Sequence, residues 1–377
     1  MHLSQDQINY CMECGVCTGS CPVSSELESF SPRQIIKRTL VEGDENFLHG
    51  HDLWACLSCG RCSDRCPVGI SFHEFLQKYR EEARKFGNLP KLSHHGTLHT
   101  LNTIQTRDIH QQRTAWAEEA GRFKDQGDIF YFVGCLPYQD VVFRYLGLNV
   151  LDTARSVLTL LNSLGIEPVI SNDERCCGHD AFWSGNIEVF KDLAARNIEC
   201  IQKAGAKQVL FSCPEGYHTF STYYPEHFGE LPFEVWHLTD FLAERLPRAD
   251  LDWQHPEPKT VTFHDPCRLG RFSGIYEQPR ELIKQVPGQK LQEMQRNREN
   301  ALCCGTTCWM ECSSFSKGMQ IERLNEAVEA GADNLITACP KCQIHLSCGL
   351  QTTGLDLEIT DLYTYLARGL KKVGSGE

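Results

Sequence analysis

The sequence predicts a multidomain α+β protein, with a small α-helical domain at the N-terminus and two copies of one α/β domain behind it. Two similar cysteine motifs, separated by helix-like segments, lie within the first ninety residues. Beyond residue 128, a series of sequence landmarks occurs twice in the same order. A chain of 377 residues is long enough for roughly two or three domains, each with a core of its own.

The N-terminal motifs read CMECGVCTGSCPV and CLSCGRCSDRCPV, which is C-x2-C-x2-C-x3-C-P twice. Three thiolates at this spacing bind three corners of an iron-sulfur cubane, and in two-cluster ferredoxins the fourth ligates the other cluster. The motifs therefore predict two 4Fe-4S clusters. We assign Cys11, Cys14, Cys17 and Cys66 to the first cluster, and Cys56, Cys59, Cys62 and Cys21 to the second. A zinc ribbon is the alternative, although zinc rarely needs three cysteines at this spacing.

Helices are predicted between and after these motifs. In SPRQIIKRTLVEG, Ser31 is the expected N-cap, Pro32 takes the first helical position and Gly43 ends the helix. The stretch SFHEFLQKYREEARKFG follows Cys66 and predicts a helix that ends near Gly87. This alternation of helices and cysteine loops resembles the α-helical dicluster ferredoxin domain, as found in succinate dehydrogenase iron-sulfur subunits and in the C-type component of heterodisulfide reductase.

Residues 88–127 are polar and rich in histidine, and we predict a solvated linker there. Metal binding is the alternative for its histidines, which are His94, His95, His99 and His110.

Beyond residue 128 the chain repeats itself. IFYFVGCLPY matches VTFHDPCRLG, ERCCGHD matches ALCCGTT, AGAKQVLFSCPEGY matches AGADNLITACPKCQ, and HLTDFLAERL matches EITDLYTYLARGL. Offsets of 126 to 132 residues between matching cysteines indicate a duplicated domain. We expect the N-terminal domain over 1–87, the linker over 88–127, and the two copies over 128–250 and 258–372.

Each copy combines an amphipathic stretch with a short β-branched or aromatic run. In the first copy, IEVFKDLAARNIECIQKAG predicts a helix that stops at Gly205. Its apolar face consists of Ile187, Phe190, Leu193, Ala194, Ile198 and Ile201. The runs QVLFSC and NLITAC end at Cys213 and Cys339. A helix followed by a strand, repeated, indicates parallel α/β units, in which ligands bind at the ends of strands.

The second copy contains five cysteines in one pattern, namely Cys267, Cys303, Cys304, Cys339 and Cys342. Adjacent cysteines do not readily form an unstrained disulfide, but they can present two sulfurs to neighbouring irons. Gly305 is expected to let the backbone approach a cluster closely. A thioredoxin-type dithiol would explain CPKC alone, but it needs no further cysteines. The pattern resembles the CCG domain of the B-type and D-type components of heterodisulfide reductase, where five cysteines hold a noncubane 4Fe-4S cluster.

Together these resemblances cover nearly the whole chain. The architecture is similar to the D-type component of heterodisulfide reductase, which is a fusion of C-like and B-like parts. Related tandem CCG domains occur in iron-sulfur subunits of glycolate oxidase, glycerol-3-phosphate dehydrogenase and lactate utilisation. They also occur in an electron-transfer subunit of class II benzoyl-CoA reductase complexes.

The first copy is incomplete by the family pattern. It retains Cys135, Cys176, Cys177 and Cys213, whereas Gly216 stands where the fifth cysteine is expected. Four thiolates suffice for a cubane, so we predict a conventional 4Fe-4S cluster here and a noncubane cluster in the second copy alone. The alternatives are a stripped or altered cluster and a purely structural copy without a cluster.

Seventeen of the 21 cysteines are then assigned, and Cys200, Cys308, Cys312 and Cys348 are left. Cys200 is predicted to be buried in a helix. For Cys308 and Cys312 the interpretations are a redox pair, a position that flanks the cluster, or ordinary packing. His264, Asp265 and His179 lie beside predicted ligands and have two interpretations. They either donate hydrogen bonds to sulfur that adjust the reduction potential of a cluster, or they simply pack at the end of a strand.

Composition narrows the class of protein. The formal charge of −12 argues against a nucleic acid partner, because a backbone-binding surface needs clustered Lys and Arg. The longest apolar runs are far shorter than the roughly 18 residues that cross a bilayer, and MHLSQDQINYC has no export signal pattern. We therefore expect a cytoplasmic protein, in which thiols stay reduced and available for metal.

The resemblance implies electron transfer. The sequence has no Gly-rich phosphate loop and no flavin fingerprint, so two-electron chemistry belongs to another subunit or to the noncubane cluster. We expect an electron-transfer subunit of a multi-subunit oxidoreductase, with flavin-containing heterodisulfide reductase A-like or dehydrogenase subunits as partners. One alternative is a catalytic heterodisulfide reductase subunit, which the incomplete first copy disfavours because disulfide-cleaving relatives pair two complete sites. A non-catalytic assembly scaffold is the other.

Overall fold

A computed structural model describes residues 11–41, 45–254 and 256–371. Within them, the N-terminal part is helical and strands alternate with helices afterwards, which confirms the predicted fold class. The α-helices are α1 Val16–Gly19, α2 Pro32–Ile36, α3 Asp52–Ala55, α4 Arg61–Asp64, α5 Phe72–Lys85, α6 Thr97–Ile104, α7 Leu136–Val142, α8 Asp152–Ser163, α9 His179–Trp183, α10 Ile187–Lys203, α11 Pro214–His218, α12 Tyr224–Phe228, α13 Leu238–Arg245, α14 Glu277–Ile283, α15 Ser314–Glu329, α16 Pro340–Leu350 and α17 Leu362–Gly369. The strands are β1 Ile129–Phe132, β2 Gln208–Phe211, β3 Glu234–His237, β4 Thr260–His264, β5 Lys290–Leu291, β6 Asn334–Thr337 and β7 Glu358–Asp361.

The helices predicted around the N-terminal cysteine motifs are present. The Ser31 hydroxyl accepts a hydrogen bond from the Gln34 amide at 3.3 Å, and Pro32 begins α2. The chain continues from α2 into a π-helical turn, and the predicted end at Gly43 lies outside the described residues. Helix α5 ends at Lys85, two residues before Gly87, which has a φ of 78°.

Two parallel sheets form the rest of the protein. The first has the strand order β1-β2-β3 and the second the order β5-β4-β6-β7. Ile129 lies opposite Gln208 in the first sheet, and Val261 lies opposite Asn334 in the second. These are the positions that the sequence repeat makes equivalent. In the first copy, Val169 forms an isolated parallel bridge with Phe130 of β1, and in the second copy β5 pairs with β4 at the corresponding edge of the sheet. Both copies therefore share one strand order.

The strand register corrects one of the sequence matches. Glu234 pairs with Gln208 in the first copy, and Glu358 pairs with Asn334 in the second. Glu234 and Glu358 are therefore equivalent and lie 124 residues apart, whereas matching HLTD to EITD implies 121. That match is wrong by three residues, because most of HLTD belongs to helix α13 while EITD is strand β7.

The predicted amphipathic helix of the first copy is α10, and Gly205 follows it with a φ of 71°. Its predicted apolar face is buried, except that Ile198 is partly exposed. Cys200 is buried on the same helix, as predicted.

Residues 88–127 pack against the duplicated domains, so the prediction of a solvated linker is wrong. Trp116 is buried, and a ring nitrogen of His99 lies 2.7 Å from the carbonyl oxygen of Cys308. The ring of His94 packs edge-on against Trp309 at a centroid distance of 6.0 Å. The buried apolar side chains of this segment that join the core, Leu98, Trp116 and Ala117, are few, so they leave no periodic signal in the sequence. In the described part of the chain, the close groups of metal donors do not include these histidines.

A buried arginine joins the N-terminal domain to the first copy. Arg80 is completely buried on α5, and its guanidinium donates to the carbonyl oxygens of Leu53, Cys56 and Trp183 at 2.7–3.1 Å. A Cβ at Gly185 would lie 2.5 Å from the backbone of Arg80, so only glycine permits this approach. None of the helices in the described ranges has the length and apolar character needed to cross a bilayer.

Candidate iron-sulfur sites

The first N-terminal site is a small cavity whose cysteines are exposed or partly exposed. Its lining includes the four cysteines assigned to the first cluster, Cys11, Cys14, Cys17 and Cys66. Cys14 is exposed, and Met12 and Val16 beside it are 64% and 43% exposed. A group held here would therefore lie close to solvent and to any partner that docks at this face.

The second N-terminal site is enclosed. Its cavity is lined by the cysteines assigned to the second cluster, Cys21, Cys56, Cys59 and Cys62. Cys62 also borders the first cavity, so the two sites are neighbours. Burial raises the pKa of Cys21 to about 12 and raises the pKa of Cys62 well above its ordinary range. Four thiolates in such a place need a cation among them, which a metal cluster supplies.

The five cysteines of the second copy converge beyond the carboxyl ends of two parallel strands. Cys267 follows β4, and Cys339 follows β6 and precedes α16, which carries Cys342. The Cys342 thiol lies 3.3 Å from the Cys304 sulfur. Cys303 interacts with both Cys267 and Cys304. This all-sulfur donor set fits an iron-sulfur cluster, and it lies where α/β folds bind ligands.

A direct contact joins the enclosed N-terminal site to the second copy. The thiols of Cys303 and Cys59 are close enough to interact, and this interaction lowers the pKa of Cys59. Arg271 lies beside the same pair, and its Nε donates to the carbonyl oxygen of Cys59 at 2.9 Å. The sequence contained no signal for this contact, because the two cysteines are more than 240 residues apart.

The first copy brings three of its four predicted ligands together. The Cys135 thiol lies 3.3 Å from the Cys176 sulfur, and Cys176 interacts with Cys177. The thiol of Cys213 interacts most strongly with Cys339 of the second copy, and it also interacts electrostatically with Cys177. Thiol contacts therefore run from Cys213 through the second copy to the N-terminal domain.

The place of the missing fifth cysteine is closed by an aromatic side chain. A Cβ at Gly216 would lie 3.9 Å from the Cβ of Cys177 and 3.1 Å from the Phe211 ring. Phe211 and Phe132 pack at a centroid distance of 5.0 Å. They occupy the positions of Thr337 and His264 in the second copy, so the first copy lacks these polar neighbours as well as the fifth thiol.

A buried ion cluster lies between the two copies. Lys341 Nζ lies 2.6 Å from both Asp180 Oδ1 and Glu215 Oε2. The Nε2 atom of His179 lies 3.3 Å from Glu215. Although burial opposes the charge, Asp180 and Glu215 raise the pKa of Lys341 well above its ordinary value. This ion cluster was not predicted from the sequence. Lys341 and Glu215 each follow a Cys-Pro pair, in CPKC and CPEG, at a position that the cysteine motif does not specify.

His179, Asp180 and Cys308 offer three buried donor atoms within 4.8 Å of one another. The ammonium group of Lys341 already neutralises Asp180, so a metal cation there would meet a positive charge. We therefore assign no metal to this group.

The remaining predicted neighbours of the clusters have other partners. Both Asp265 oxygens accept from Arg280, at 2.8 and 2.9 Å. Cys308 is completely buried and Cys312 is exposed. At Gly305, where close approach to a cluster was expected, the tight contact is with helix α15: a Cβ would lie 2.5 Å from the carbonyl oxygen of Ser316.

Known proteins resemble this chain in sequence. The family described as "4Fe-4S dicluster domain" matches residues 7–70, and the family described as "Cysteine-rich domain" (CCG) matches residues 129–221 and 261–347. The D-type component of the dihydromethanophenazine:CoB–CoM heterodisulfide reductase of Methanosarcina barkeri is 35% identical over 267 residues, covering 69% of this chain and 63% of that protein. Its counterpart in Methanosarcina acetivorans is 33% identical over 293 residues, covering 76% and 68%. The EtfAB:quinone oxidoreductase of Syntrophomonas wolfei is 29% identical over 303 residues, covering 74% and 41%.

Proposed function

The chain belongs to the family of D-type heterodisulfide reductase components, and from this membership we propose that it is an iron-sulfur electron-transfer subunit of a multi-subunit oxidoreductase. The observation that carries the proposal is the contact between Cys59 and Cys303. It joins a site of the N-terminal domain to the site of the second copy. Clusters held at these sites would accept and release single electrons.

We assign the clusters as follows. The N-terminal domain holds two 4Fe-4S clusters, on the ligand sets given by the two motifs. The second copy holds a noncubane 4Fe-4S cluster on its five cysteines. The first copy holds a conventional 4Fe-4S cluster on Cys135, Cys176, Cys177 and Cys213. Gly216 and the Phe211 ring support this difference between the copies, because they leave no fifth thiolate and little room for one.

The protein's own residues isolate the inner sites and leave one outer site open. Cys303, Cys304, Cys339 and Cys342 are buried, and Cys267 of the second copy's site is partly exposed. Cys14, by contrast, is exposed at the N-terminal site. We propose that a partner protein exchanges electrons at this exposed face, and that the buried contacts hold the inner sites at fixed separations.

Partners and location belong to the same proposal. The two Methanosarcina relatives are by name subunits of a heterodisulfide reductase, and the alignments cover 63% and 68% of their lengths. Flavin-containing subunits similar to heterodisulfide reductase A, or dehydrogenase subunits, would supply the two-electron chemistry. We propose a cytoplasmic location, where the free thiols of this chain would stay reduced.

A catalytic role in heterodisulfide reduction is the second candidate. The complete five-cysteine set of the second copy favours it, and so do the names of the relatives. The first copy disfavours a catalytic role, because it has Gly216 and the Phe211 ring in place of a complete five-cysteine site that could pair with the site of the second copy.

Electron paramagnetic resonance separates the two candidates. The protein is purified anaerobically and examined with and without the heterodisulfide of coenzymes M and B. A relay subunit gives the same spectrum in both samples, whereas a new signal in the presence of the disulfide shows catalysis and overturns the relay. The Cys342→Ser variant is the matched control: it should lose the signal of the second copy and retain those of the N-terminal clusters.

A further inference from the structure

A histidine is held beside the five-cysteine site by a chain of buried polar groups. His264 ends strand β4, and one of its ring nitrogens lies within 4.8 Å of the Cys304 and Cys342 sulfurs. The Arg323 Nε donates to His264 Nδ1 at 3.0 Å. The Arg323 Nη1 donates in turn to a Glu326 carboxylate oxygen at 2.6 Å. His264 and Arg323 are 1% and 0% exposed, so water does not compete for these bonds.

The arginine determines which imidazole nitrogen carries hydrogen. A guanidinium has only donors and keeps its proton in proteins, so Nδ1 of His264 must be an acceptor. A neutral imidazole has one N–H, which is therefore on Nε2. An imidazolium is excluded too, because its Nδ1 hydrogen would face the arginine donor.

The Nε2–H group needs an acceptor. This atom is buried and has no hydrogen-bond partner among the described residues. A buried donor without a partner is unfavourable, and the Cys304 and Cys342 sulfurs, which lie within 4.8 Å of a ring nitrogen of this histidine, can act as acceptors. Because Nε2 carries hydrogen, His264 cannot use that nitrogen as a metal ligand.

We propose that His264 donates a hydrogen bond from Nε2 to a sulfur at the second copy's cluster site, and that Arg323 acts as the positioning residue that makes the imidazole a donor there. The inference rests on the proposed cluster in the second copy. Hydrogen bonds to sulfur spread the negative charge of a reduced cluster and so raise its reduction potential. The first copy has Phe132 at the equivalent position, so this adjustment is specific to the second copy.

Another histidine near the site lacks this feature. His345 Nδ1 contacts the side-chain amide nitrogen of Gln320 at 2.9 Å. An amide can present either its nitrogen or its oxygen, so Gln320 does not determine the hydrogen position of His345 as Arg323 does for His264.

Redox titration of the second copy's resonance signal tests the proposal. His264→Leu removes the donor and should shift the midpoint potential to a more negative value. His264→Gln can accept from Arg323 through its oxygen and donate through its amide, so it should recover most of the shift. Phe132→Leu is the matched control in the first copy and should leave this potential unchanged. An unchanged potential in His264→Leu, or equal potentials in the Leu and Gln variants, would overturn the proposal.

Two further measurements keep the test decisive. If His264→Leu does not bind iron, the Arg323→Met variant is titrated in its place. Without the arginine, nothing fixes the hydrogen of His264 on Nε2, so the midpoint potential should change; an unchanged potential overturns the proposal. Pulsed resonance on protein labelled with 15N-histidine should show a weak nitrogen coupling to the cluster. A strong coupling would mean direct ligation, and no coupling would mean no contact; either result refutes the hydrogen bond. Absence of any second-copy signal in the wild type would instead refute the cluster assignment, and with it the proposed function.

Discussion

Lys341 Nζ lies 2.6 Å from the Glu215 carboxylate, and the two residues occupy the same position in the two copies. Each follows a Cys-Pro pair, and they are 126 residues apart. The duplicated domains therefore face each other through one pair of equivalent loops. The neighbouring equivalent pair, Cys213 and Cys339, also interacts across this interface. Opposite charges at one repeated position thus hold the two cysteine sites together.

Removing the ammonium group should destabilise this interface. Lys341→Met leaves Asp180 and Glu215 as buried carboxylates without a cation, which costs about 3–5 kcal/mol for a buried pair. Anaerobic urea unfolding measures the change. Lys207→Met is the matched control, because Lys207 and Asp128 form an exposed pair and its loss should have little effect. Equal stability of Lys341→Met and the wild type would show that the ion cluster does not hold the copies together.

Arg80 should be needed for the enclosed N-terminal site. Arg80→Met leaves the carbonyl oxygens of Leu53, Cys56 and Trp183 without their donor, at about 1–3 kcal/mol for each unsatisfied group. The Cys56 loop should loosen, and the iron content per chain should fall. Lys85→Met, on the same helix, provides the comparison for a general effect of removing a cation, because Lys85 forms an exposed pair with Glu82. Full iron loading in Arg80→Met would contradict this role.

Restoring the fifth cysteine should require a second change. In Gly216→Cys the new Cβ would lie 3.1 Å from the Phe211 ring, so the ring must move, at a cost of about 1–3 kcal/mol. We expect no second noncubane signal from this variant. Adding Phe211→Thr copies the neighbour present in the second copy and should allow the signal. A full second signal from Gly216→Cys alone would show that Phe211 is no obstacle.

Stability should depend on pH through Asp361. Burial raises the pKa of this carboxyl to about 7, although it accepts from the amides of Tyr363 and Thr364. A pKa above the unfolded value means that the stabilisation is complete at low pH and is lost as pH rises toward 7. Relative to Asp361→Asn, the wild type should therefore lose up to about 1.4 kcal/mol per pH unit. Unfolding free energies between pH 5 and 8 test this, and parallel curves for the two proteins would refute it.

The sequence was most informative where the signals are local or repeated. The Ser31 cap, the ends of α5 and α10, and the duplication all follow from residues close together or from matched landmarks. The equivalence of β3 and β7 was mispredicted, because the shared letters of HLTD and EITD suggested an alignment that the pairing of the strands does not support. The cysteine spacing predicts which thiols form each group, and these ligand sets stay predictions. It could not predict contacts between groups, such as Cys59 with Cys303, because those depend on how separate domains pack.

The polar surroundings of the sites were the least predictable. Arg323 and Arg80 are ordinary helix residues in the sequence, and their burial becomes visible only when distant segments meet around them. His264 lies close to the predicted ligand Cys267 in the sequence, but its role as a hydrogen-bond donor depends on its contact with Arg323.

Metal analysis of anaerobically purified protein tests the central claim most directly. We expect about 16 iron atoms per chain, from four 4Fe-4S clusters, and no zinc. Zinc in place of iron, or no more than about 8 iron atoms per chain, would contradict it, because the cysteines of the duplicated domains would then hold no clusters.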